Sequence, residues 1–216
     1  MKYLITLLLI TNLCFGQEWS KAKLNDFSSI NFPSPPDTSE SNGGLYFTAS
    51  DSTGVYMVMV KDLGNPKITE SELSQLYQGV ISGALKSVNG ELIKQNEFQL
   101  NGIKGIEMLF TANSNPQLPN LRDKRIIVVN NNIISYEFWT YKETEQIASI
   151  NKERFFNSIS VSIKKDTEPS KNEAKSAYEI GFKFGKIISN LLLIGLVIGG
   201  VFLIRNMNKK KNKNIG

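Results

Sequence analysis

Histidine is absent from the 216 residues, and cysteine occurs once, at Cys14. The first absence removes Ser-His-Asp and Cys-His nucleophilic machinery, the HExxH zinc site and imidazole proton switches. The second excludes a disulfide framework and cysteine-ligated metals. No glycine-rich phosphate cradle of the P-loop or dinucleotide type is present. The sequence therefore presents no catalytic set, no cofactor-binding set and no metal set, and no cofactor is expected.

The formal charge of +5 is unevenly placed. Lys2, Arg205, Lys209, Lys210, Lys211 and Lys213 lie outside residues 17–186. Within that stretch 19 Lys and Arg face 20 Asp and Glu, a formal charge of −1. A near-neutral body of this kind is not expected to bind nucleic acid.

The charge-free run Ile187 to Ile204 fixes the organisation. Eighteen residues at ~1.5 Å each reach about 27 Å, close to the hydrocarbon thickness of a bilayer. Met1 to Gly16 reads as a signal peptide: Lys2 forms the n-region, Tyr3 to Leu13 the apolar core, and Cys14 and Gly16 the small residues before cleavage. Acylation of Cys14 is one alternative, but bulky Leu13 precedes it; an uncleaved anchor is the other, but the apolar run from Tyr3 to Leu13 is short for spanning. Export begun by the signal and stopped at Ile187 places the body outside the cytoplasm. The parts expected are a signal at 1–16, an exported domain at 17–163 and a charged juxtamembrane linker at 164–186. A transmembrane helix at 187–204 and a basic cytoplasmic tail at 205–216 follow. The location expected is the cell (inner) membrane, single-pass, with the domain periplasmic or extracellular.

Along the domain, Phe27 to Phe32 reads as a strand stopped by Pro33, and Pro33 to Gly44 as a flexible loop. Leu45 to Ala49 and Gly54 to Lys61 form a strand pair, the second apolar on both faces and therefore central. Thr69 to Val88 is a helix: Thr69 and Glu72 match a capping box, apolar residues recur at three- and four-residue steps, and Asn89-Gly90 stops it. Hairpins are expected over Asn101-Gly102 and over Asn130 to Asn132. A helix over Thr144 to Asn157, with a stripe of Ile147, Ile150, Phe155 and Phe156, and a short strand in Ser158 to Ile163 complete the domain. The fold class is α+β, a central antiparallel β-sheet with helices packed on its faces, plus one C-terminal transmembrane helix.

Several of these features resemble the PsbP/DcrB-like group of α/β/α sandwich domains. They are Phe27-Ser28-Ser29-Ile30-Asn31-Phe32-Pro33, the Asn101-Gly102 hairpin followed by Gly105-Ile106-Glu107, and the adjacent strands Ile126 to Val129 and Ile133 to Tyr141. Arg154-Phe155-Phe156-Asn157-Ser158-Ile159 closes the match, which covers Trp19 to Ile163. The resemblance implies helices on both faces of an antiparallel sheet and a non-enzymatic accessory or binding role. It carries over no site residue.

The remaining candidates are single residues. Glu107 and Glu137 would have to converge to support a carboxylate-based enzyme; otherwise each lies on a solvated strand face. Arg122-Asp123-Lys124-Arg125 reads as the start of an edge strand, or as a grip for an anion. Trp139 with Tyr141 is a ligand platform or a buried aromatic pair. Pro33 to Gly44 and Asn113 to Leu121 are the loops best placed for a partner. Gly195 and Gly199 are the transmembrane packing face; in a continuous helix they share a sector with Gly181, Gly185 and Ser189, which would pair two copies as a homodimer. The leading reading is a membrane-anchored, non-enzymatic binding or accessory module. Its partners would be membrane lipid through 187–204 and an unidentified protein. The alternatives are a carboxylate-based enzyme and a structural subunit assembling through its transmembrane helix.

Overall fold

The computed structural model describes residues 18–64, 68–163 and 177–187. Seven antiparallel strands form the central sheet, in the order β3-β4-β5-β9-β8-β7-β6. They are β3 (Asp37–Ser41), β4 (Gly44–Ser50), β5 (Val55–Asp62), β6 (Leu92–Leu100), β7 (Ile103–Thr111), β8 (Leu121–Val129) and β9 (Asn132–Thr140). A small second sheet joins β1 (Ser20–Lys23), β2 (Ser28–Phe32) and β10 (Ser160–Val161). The helices are α1 (Glu70–Val88), α2 (Glu145–Asn157) and α3 (residues 177–187). Among the described residues no helix is long and apolar enough to cross a membrane. The expected signal, the transmembrane run beyond Ile187 and the tail lie outside the described residues, as do Gly195 and Gly199.

Strand alternation sends side chains to two separate cores. Tyr56, Val58, Ile127, Ile134, Tyr136 and Phe138 point to one face, where Ala148 and Phe155 of α2 and Ile30 and Phe32 of β2 cover them. Met57, Met59, Met108, Phe110, Ile126 and Trp139 point to the other, beneath Leu76, Val80 and Ile81 of α1 and Ala177 and Phe184 of α3. β5 is apolar on both faces because it lies between β4 and β9 with a helix layer on each side.

α1 begins where the capping residues place it. The Glu72 carboxylate accepts from the Thr69 backbone N–H at 2.9 Å and from its hydroxyl at 2.7 Å. It ends at Asn89, which is left-handed at φ 48°, with the Gly90 N–H bonded to the Leu85 carbonyl at 2.9 Å. Asn101-Gly102 turns at φ 50° and 81°, and Asn130-Asn131 at 48° and 59°, so both expected hairpins close on pairs that tolerate the left-handed region.

Three expectations about the domain change. The supposed loop Pro33 to Gly44 holds edge strand β3, paired from Asp37↔Thr48 to Ser41↔Gly44 across an Asn42-Gly43 turn. Its sequence, Asp-Thr-Ser-Glu-Ser, lacks the apolar alternation that marks a strand. Lead-in residues Ser20–Lys23 are β1 for the same reason of weak pattern. In α2 the inward residues are Ala148, Phe155 and Phe156, while Ile147 and Ile150 are 74% and 76% exposed.

α3 and α1 meet through glycine. A Cβ at Gly79 would strike the Tyr178 carbonyl, and one at Gly83 the Phe182 carbonyl. A Cβ at Gly181 would strike the Leu76 carbonyl, and one at Gly185 the Val80 carbonyl. Each pair is four residues apart, one helical turn, so two bare stripes face each other and the backbones touch. Residue numbers rise together along the contact, so the helices run parallel. Gly181 and Gly185 are thus used within the domain, and residues 177–187 are helical and docked on α1.

Candidate functional site

β8 lies between β7 and β9, so Arg122 to Arg125 does not form a sheet edge. Alternation splits the four charges. Arg122 and Lys124 go to the α1 face, and Asp123 and Arg125 to the α2 face. Register then assigns their partners: Arg122 stands opposite Trp139, Lys124 opposite Glu137, and Arg125 opposite Glu107. Glu107 and Glu137 therefore lie on opposite sides of the sheet and do not converge.

Glu137 is also not solvated, contrary to the sequence expectation: it is 1% exposed. Its Oε1 forms a buried ion pair with Lys124 Nζ at 2.7 Å and accepts from Ser135 Oγ at 3.2 Å. Its Oε2 accepts from Trp139 Nε1 at 2.9 Å. The Arg122 guanidinium is 3.6 Å from the Trp139 ring centroid, a desolvated cation–π contact. Burial pushes Arg122 down to about 10, against the pull of Glu137. Burial also lowers Lys124, with Glu137 opposing. This cluster is enclosed by packed side chains and belongs to the core. Trp139 is a buried aromatic, while Tyr141 stands beyond the strand end, 44% exposed, its hydroxyl on the Gln117 carbonyl at 3.1 Å. They form no platform.

The opposite face opens into a cleft of about 260 Å³ between α2 and strands β6 to β8. Lys94, Asn96, Glu107, Asp123, Arg125, Lys152 and Glu153 are among its polar lining residues. Glu107 is held on both sides: Oε1 accepts from Asn96 Nδ2 at 3.0 Å and Oε2 from Arg125 Nε at 3.3 Å. Arg125 is in turn stacked 4.8 Å from the Phe156 ring. Asp123 is held on one side only. Lys152 Nζ donates to Oδ1 at 3.2 Å, whereas Oδ2 is buried without a partner. Burial raises the Asp123 carboxyl, and Lys152 offsets only part of that. A half-satisfied buried carboxylate destabilises a fold unless something binds it. No single-residue sequence signal marks it; the split of Arg122 to Arg125 between two faces, once β8 is internal, is what would have.

This shift has a stability consequence with a definite sign. Between 3.8 and its raised value the folded Asp123 holds a proton that the unfolded chain has lost. Its penalty is therefore absent below 3.8 and complete above the raised value. Asp123→Asn is expected to raise the melting temperature at pH 7 by about 2–4 °C, the gain shrinking as pH approaches 4. Thermal melts of both chains across that range check it; an equal change at both ends rules it out.

No family model matches the chain, and no curated protein matches it in sequence. Solved structures match it in fold. The solution structure of cyanobacterial PsbP (CyanoP) from Synechocystis sp. PCC 6803 superimposes with a TM-score of 0.53 at 10% identity, covering 69% of this chain and 96% of that one. A protein of unknown function from Pseudomonas aeruginosa, described as a putative regulator, gives 0.41 at 10% identity over 63% and 92% of the two chains. The likeness to the first lies in architecture and not in residues, and the sheet with a helix layer on each side has the PsbP-like fold.

Proposed function

We propose that the chain is a non-enzymatic binding or accessory module, held at the outer side of the cell membrane by Ile187 to Ile204, whose cleft receives a donor group from a protein partner. The observation that carries the binding reading is Asp123, which lines that cleft and whose Oδ2 is buried without a partner. A lysine or arginine tip, or a backbone N–H, would complete it. The volume suits one side chain and falls below that of ordinary small-molecule pockets. The tether and the outward orientation rest on the charge-free run and the signal-like N-terminus.

A carboxylate enzyme is the second reading, because Asp123 shares the cleft with Glu107 and its carboxyl is raised. The binding reading is preferred because both Glu107 oxygens are already engaged by Asn96 and Arg125. A photo-crosslinker at Asn96 in intact cells is expected to give one defined protein adduct that Asp123→Lys abolishes. The same probe at Ser74, on the exposed side of α1, should give none. Equal adducts from both positions, or indifference to Asp123→Lys, would refute the cleft as the contact.

A further inference from the structure

The parallel glycine contact between α1 and α3 places the C-terminal end of α1 and the last described turn of α3 at one pole of the domain. Two cations meet over one ring there, from two elements far apart in sequence. Lys86 Nζ lies 5.8 Å from the Phe182 ring centroid and Lys186 Nζ 5.6 Å from the same ring. Lys183, also exposed, is one turn before Lys186. Glu179, four residues before Lys183, is the acidic residue on the same helix. The charge-free run starts immediately after Lys186, at Ile187.

We propose that this pole is a lipid-facing surface, with Lys86, Lys183 and Lys186 contacting anionic headgroups around Phe182. The proposal rests on the anchored reading above. The ammonium groups and the ring have the chemistry of an interfacial zone: cations for phosphate, an aromatic body for the headgroup boundary. The glycine contact adds Lys86 to the cations that stand beside Ile187. Each lysine near an anionic surface favours apposition about fivefold, so three favour it roughly a hundredfold.

The test uses the full chain with Cys14→Ser and a fluorophore on Glu91→Cys, three residues past the end of α1. It is reconstituted into phosphatidylcholine vesicles with or without phosphatidylserine, each carrying a headgroup-attached quencher. Stronger quenching with phosphatidylserine, reversed by molar salt and by Lys86→Gln/Lys183→Gln/Lys186→Gln but kept by the corresponding arginine variant, is the expected result. Quenching indifferent to lipid charge or to the glutamine variant overturns the headgroup contact. Retention on the vesicles after an alkaline wash reads the anchor separately: its loss overturns the anchored reading, and with it this one.

Discussion

Replacing Glu137 with leucine is expected to destabilise the domain by about 3–5 kcal/mol, because it leaves Lys124 and Arg122 buried with no anion. That is a large share of the ~5–15 kcal/mol by which domains are usually stable. Trp139 Nε1 and Ser135 Oγ lose their acceptor as well. Urea unfolding of the full chain measures it. The pH dependence identifies the cause. Without Glu137 nothing opposes the burial that lowers Lys124, so between the lowered value and 10.5 the unfolded chain binds more protons than the folded one. The variant should therefore recover stability as pH rises towards 10.5. The pair Glu137→Leu/Lys124→Met should recover the Lys124 share of the loss at pH 7 but not all of it, since Arg122 stays buried without its anion. A loss that is flat with pH and unrescued by the second change would mean the cluster matters for packing alone.

The second large effect is expected at Gly181. A leucine there drives a side chain into the Leu76 carbonyl, and backbone cannot yield as a side-chain tip can. Overpacking of this kind costs about 1–3 kcal/mol. α3 is joined to the body through residues 164–176, so it can leave α1 while the sheet stays folded. Proteolysis should then cut 177–187 of Gly181→Leu, and of Gly83→Leu, at least tenfold faster than in the parent. The sheet amides should keep their hydrogen-exchange protection. Unchanged cleavage would show that the glycine contact does not hold the helix.

The sequence was most legible where local chemistry and tertiary packing agree. Thr69, Glu72 and Asn89 set both ends of α1 in sequence and in space, and Asn101-Gly102 closes its hairpin for a purely local reason. β3 and β1 were not legible, because polar edge strands carry no apolar alternation and are made strands by their neighbours. The cleft was hidden for a different reason. Asp123 and Lys124 are adjacent in sequence yet face opposite cores, and which residues meet depends on register with β7 and β9. The glycine contact did leave a trace in two pairs spaced by four, Gly79 with Gly83 and Gly181 with Gly185. Periodicity grouped the second pair with Gly195 and Gly199 along one helix; it says nothing about a partner a hundred residues earlier.

The two rims of the central sheet are unlike its interior. β3 offers only Asp37, Thr38, Ser39, Glu40 and Ser41, all short and hydrophilic. β6 breaks its pairing register between Leu92 and Lys94, so its start is bent out of line. A hydrated fringe on one margin and a crooked one on the other deny incoming chains a straight template. Molecules at high concentration would consequently resist edge-to-edge growth into fibrils.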